Sequence, residues 1–148
     1  MPAKKKEDAG KFVIEIPRTS LEGPALGNLK GLVNSKRHLI AHAFGKETVE
    51  IVESTERISF PWFKENPTAE EAHAYTQFIS RLCDLARALN TTQAREERIP
   101  DNEKYAFRCF LLRLGFIGDA SKADRKILMG NLSGSSAFKS GSRKVAQE

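Results

Sequence analysis

His38 and His42 are four residues apart, which puts both imidazoles on one face if the segment is helical; helical zinc sites use this spacing. A hydrolytic zinc helix also needs a glutamate directly after the first histidine as general base, and that position is Leu39. The third histidine, His73, falls in a different helical segment, and no nearby cysteine completes four ligands. The sequence therefore predicts no metal and no cofactor. Cys83 and Cys109 each sit inside an apolar helical pattern, where buried free thiols of a reducing compartment are found; a disulfide framework would place more cysteines in loops. The carboxylate pairs Glu70–Glu71 and Glu96–Glu97 lie in polar stretches, without the burial that would shift a carboxyl toward acid–base work. There is no phosphate-binding glycine loop, no dinucleotide turn and no nucleophile elbow. The chain reads as a non-enzyme with no catalytic residue.

What remains is charge. Residues 46–71 carry seven glutamates against Lys46, Arg57 and Lys64. Residues 104–144 carry Lys104, Arg108, Arg113, Lys122, Arg125, Lys126, Lys139, Arg143 and Lys144 against only Asp119 and Asp124. An acidic middle thus precedes a basic C-terminal third. Lys104 and Arg108 are four apart and Lys122 and Arg125 three apart, so each pair shares a helix face. Lys104, Arg108, Lys122, Arg125 and Lys126 are the candidate phosphate-binding residues. No Asn or Gln stands among them to read adenine edges. Two helices joined through glycines resemble a helix-turn-helix. Aligning Gly118 with the turn glycine, however, puts Asp124 where the second helix needs an apolar packing residue. The expectation is DNA or RNA binding without sequence preference, through phosphates.

The elements that must position these residues follow from periodicity. Residues 11–17 (KFVIEIP) read as a strand, and 49–63 as a β-hairpin with Pro61 at a strand end or edge. Phe60, Trp62 and Phe63 read either as an aromatic patch for a partner or as anchors of the sheet to the helices. Leu21–Gly27 is a loop or weak helical lead-in, and 28–44 reads as one long helix or two short ones broken near Asn34–Ser35, stopped by Gly45. Thr68 and Glu71 form a capping box opening a helix with Ala72, Tyr75, Ile79, Leu82, Cys83, Ala86 and Leu89 on its apolar stripe. A second helix begins near Asp101–Asn102 and presents Phe107, Phe110, Leu111 and Leu114. These four should pack with Leu82. Gly115 and Gly118 bracket a turn, and a Ser121–Asp124 cap opens a short last helix. Strands and helices that do not strictly alternate predict an α+β fold, a small sheet packed against three to five helices.

The totals agree with that reading. Hydrophobic residues at 40% and charged residues at 29% are those of a globular domain, and no apolar run reaches the roughly 18 to 20 residues that span a bilayer. The expected organisation is a disordered basic tail over 1–10, one domain over 11–140 and a disordered tail over 141–148. The basic N-terminus leads into no apolar core, so it does not read as a secretory signal, and a cytoplasmic protein is expected. A net charge of +5 permits nucleic-acid binding without demanding it.

Residues 101–119 (DNEKYAFRCFLLRLGFIGD), 123–128 (ADRKIL) and 131–139 (NLSGSSAFK), with Phe60–Phe63 (FPWF) and the following helix, resemble a bacterial family. It comprises small Firmicutes proteins labelled "virulence-related protein", often carried on phages and conjugative elements. The likeness covers roughly residues 11–140. It implies a setting in mobile DNA and assigns no catalytic residue. In that setting a DNA-associated accessory protein, or an inhibitor binding a host defence protein, fits better than a metabolic enzyme. Two readings follow: nucleic-acid binding by the basic C-terminal third, or protein binding by the acidic hairpin or the Phe60–Phe63 region. Neither oligomeric state nor strand order follows from the sequence.

Overall fold

A computed structural model describes residues 12–89 and 102–132. The predicted tails, the polar link over residues 93–100 and residues 133–140 lie outside the described residues. The fold is α+β: five helices and a three-stranded antiparallel sheet among the described residues. No helix there is long and apolar enough to cross a membrane.

Strand β1 (Ile14–Pro17) pairs with β3 (Arg57–Phe60), Ile14 opposite Phe60 and Ile16 opposite Ile58. β3 also takes β2 (Val52–Glu53), so the order is β1-β3-β2. Period-two alternation sends Ile58 and Phe60 inward, fully buried, and leaves Arg57 at the surface. The hairpin is shorter than its sequence suggests. Val49 is buried outside any strand, and pairing starts only at Val52, itself half exposed. Ser54 closes the turn: its Oγ accepts from Glu56 N at 3.3 Å and Arg57 N at 3.0 Å. Pro17 ends β1 and Pro61 follows β3, positions where a missing N–H costs no ladder bond.

Gly23, at φ 66°, leads into α1 (Pro24–Ser35), whose first residue is a proline already set to helical φ. The helix breaks at Lys36, one residue beyond the expected position, and α2 (Arg37–Ala43) continues from it. Of the two options for this segment, the pair of short helices is the one formed. Gly45 stops α2 at φ 68°. Helix α3 (Ala69–Ala88) opens with the full capping box: Thr68 Oγ accepts from Glu71 N at 3.1 Å, and Glu71 Oε1 from Thr68 N at 2.9 Å. α3 is the spine of the fold, packed by α1, α4 (Glu103–Leu114) and α5 (Lys122–Leu128). At its far end, buried Asn28 donates to Ala86 O at 3.1 Å and Leu89 O at 2.9 Å, occupying carbonyls that a helix terminus would leave open.

Between sheet and helices lies a nest of rings. Trp62 is 1% exposed, lies edge-on to Phe60, and donates its Nε1–H to Glu50 O at 2.7 Å. Phe63 stacks on Tyr75 at 4.6 Å and meets Phe44 edge-on at 4.9 Å. Phe60, Trp62 and Phe63 are therefore anchors, buried too deeply to offer a partner surface. Leu82, Phe107, Phe110, Leu111 and Leu114 share the same core, as the stripes of α3 and α4 predict. Leu111, with no exposed surface, gives a direct check. Leu111→Ala is expected to destabilise by roughly 2 to 5 kcal/mol in urea unfolding. A change of a few tenths would place the side chain outside the core.

Two expectations fail. Cys109 is exposed, unlike buried Cys83. It stands two residues from both Phe107 and Leu111, about 200° around the helix from each, so the inward face passes it by. Ser121 makes no side-chain cap for α5. Asp124 turns instead to α3, where its Oδ1 lies 3.1 Å from His73 Nδ1.

Candidate nucleic-acid interface

The candidate residues stand on α4 and α5. Asn102 starts α4 by accepting Tyr105 N at 3.1 Å. The helix closes at Gly115, φ 104°, where Phe116 N reaches back to Leu111 O at 3.0 Å. Arg81, on α3, locks this end: its Nη1 donates to Gly115 O at 3.0 Å, and its guanidinium lies 4.8 Å from the Phe116 ring centroid. The φ of 104° favours glycine at position 115, and a Cβ there would stand 2.8 Å from that nitrogen and displace the Arg81 side chain. After the turn, His73 holds Asp124, and Asn131 Nδ2 donates to Ala43 O at 2.9 Å. Glu103 at the start of α4 meets His42 Nδ1 at 2.7 Å. The start of α4 and the segment after α5 therefore converge on the C-terminal end of α2.

Lys104 and Arg108 lie half-buried on α4, while Lys122 and Lys126 are exposed on α5. The fifth candidate, Arg125, is engaged within the fold. Its Nη1 donates to Phe116 O and Gly118 O, each at 3.0 Å, and ties α5 to the turn. Arg113 is exposed on α4 too, but nine residues from Lys104 it lies about 180° around the helix from it.

Pairing separates these cations from most of the others, Lys46 before β2 being likewise without a carboxylate among the described residues. Arg18 and Lys30 both bind Glu53, and the Lys30 hydrogen bond, with Arg18 beside it, holds the Glu53 carboxyl below its usual range. Arg57 lies 3.8 Å from Glu15, Lys64 2.7 Å from Glu71, and Arg87 against Asp84. Lys36 sits 5.5 Å over the Phe110 ring centroid. By contrast, among the described residues no carboxylate lies within ion-pair distance of Lys104, Arg108, Arg113, Lys122 or Lys126. A cation already paired must lose its carboxylate to bind phosphate; an unpaired one releases only solvent and counterions.

The histidines do not converge. The rings of His38 and His42 are 6.5 Å apart, His42 is engaged by Glu103, and His73 pairs with Asp124 elsewhere. Among the described residues no three His, Cys, Asp or Glu side chains gather as metal ligands. Two open clefts, one beside Arg18 and Glu22, the other beside Glu70 and His73, align no nucleophile with a base among the described residues. No protein-family model, curated protein or solved structure matches the chain.

Proposed function

We propose that this protein binds nucleic acid through phosphates and without sequence preference, using Lys104, Arg108, Lys122 and Lys126. It acts as a non-enzymatic cytoplasmic accessory protein, in the mobile-element or phage setting that its family resemblance implies. The observation that carries the reading is the segregation of unpaired cations. Lys30, Arg57, Lys64, Arg81 and Arg87 are engaged by carboxylates or carbonyls, whereas Lys104, Arg108, Lys122 and Lys126 on α4 and α5 meet neither among the described residues. Phosphates are the multivalent anions that such a surface recruits, and affinity then falls with salt by about 0.9 log units per log unit for each duplex phosphate contact.

The test is fluorescence anisotropy on unrelated duplexes across a salt series. With four contacts, affinity should drop about a hundredfold between roughly 50 and 200 mM salt, alike on every sequence. Replacing Lys104, Arg108, Lys122 and Lys126 together by Gln should flatten the slope by roughly 3 to 4. Arg125 is left in place, since its removal would loosen the turn. Absence of wild-type binding even at low salt ends this reading. The alternative is then a protein-binding module, such as an inhibitor of a host defence protein, acting through the acidic hairpin. Exposed Glu47, Glu50, Glu56 and Glu65 favour it, being in no ion pair among the described residues.

A further inference from the structure

From the single unstacked ring on α4 we infer that the nucleic acid bound is single-stranded, with an unpaired base stacking on Tyr105. The inference rests on the phosphate-binding reading above and adds the form of the strand. Every other Phe, Tyr and Trp ring among the described residues meets a second ring or a cation; most are buried in the core. Tyr105 meets neither, and it is partly exposed. On a helix of 3.6 residues per turn it lies opposite the buried face of Phe107, Phe110, Leu111 and Leu114. Lys104 precedes it, and Arg108 stands one turn away on the same side. The Cys109 thiol one turn on interacts with its hydroxyl and raises the phenol's pKa.

An aromatic platform flanked by unpaired cations suits a strand whose bases are free. Stacking needs a base face, which a duplex hides inside its own stack, while the backbone phosphates are equally available in both forms. A purely electrostatic surface has no need of a ring beside Lys104 and Arg108. Stacking is also tolerant of base identity, so it preserves the lack of sequence preference.

The experiment compares labelled oligo-dT, oligo-rU and a duplex of equal phosphate number by anisotropy at low salt, with wild type, Tyr105→Ala and Tyr105→Phe. One or both single strands should bind more tightly than the duplex, and the dT and rU arms identify which sugar is preferred. Tyr105→Ala should weaken single-strand binding about 5- to 150-fold, the range for one stacked base, and leave duplex binding unchanged. Tyr105→Phe keeps the ring and should bind as wild type. Equal affinity for duplex and single strands, or equal losses on both in Tyr105→Ala, overturns the inference while leaving phosphate binding intact. No binding to any of the three overturns both.

Discussion

Replacing Phe78 by alanine is expected to cost about 3 to 5 kcal/mol, the range for a buried phenylalanine that leaves a cavity behind. Phe78 has no exposed surface. Its ring meets Phe44 edge-on at 5.3 Å on one side, and Phe107 at 6.0 Å and Phe110 at 6.3 Å on the other. It therefore joins the ring nest under the sheet to the helix that carries Lys104, Tyr105 and Arg108. The neighbours come from separate elements and cannot all close on the vacated volume, which places the loss toward the upper end. Urea unfolding followed by Trp62 fluorescence measures it. A loss under about 1 kcal/mol would mean that the two halves are not coupled through this ring.

Stability should also fall between pH 9 and pH 11 by about 2 to 3 kcal/mol on account of Cys83 alone. Burial on the inner face of α3 pushes the Cys83 thiol up to about 11 from its ordinary 9.0. Below pH 9 the thiol is protonated in folded and unfolded chains alike, and its contribution is fully present. As pH rises past 9 the unfolded chain loses this proton first, which favours unfolding, and the loss is complete once the folded thiol ionises near 11. Tyr75, raised mainly by burial, and Lys64, raised by its bond to Glu71, weaken the fold in the same direction. Cys83→Ala isolates the thiol: its stability should depend less steeply on pH across this window. An identical slope in the variant would place the thiol in contact with water.

Local chemistry made much of this fold legible in the sequence. The Thr68–Glu71 box, the Asn102 cap and the left-handed Gly45 and Gly115 act within a few residues, so residue type alone announces them. Distant partners were not legible. The order β1-β3-β2 depends on Ile16 meeting Ile58, and no local signal specifies that pairing. Phe78 escaped the expected stripe of α3 because Tyr75, Ile79 and Leu82 already satisfy the helical spacing around it. Cys109 misled for the opposite reason, being apolar in type yet on the wet side of α4. In the candidate site, the positions of the cations along the chain were evident. Which were free was not, since Arg18 finds Glu53 across 35 residues and Arg125 is spent on a turn whose shape Gly115 and Gly118 create.

The bond between Asn131 and Ala43 O spans 88 residues, and Phe78 waits for Phe107 and Phe110. A ribosome delivers these parts in order. At about 5 to 20 residues per second, roughly 2 to 6 s separate the emergence of Phe78 from the ribosome from that of Phe110. During that interval α1 to α3 and the sheet have no α4 to cover their central ring. The nascent chain carries an apolar face that only its own last third can close, and it is in this interval that holdase chaperones, or a second nascent copy, compete for Phe78.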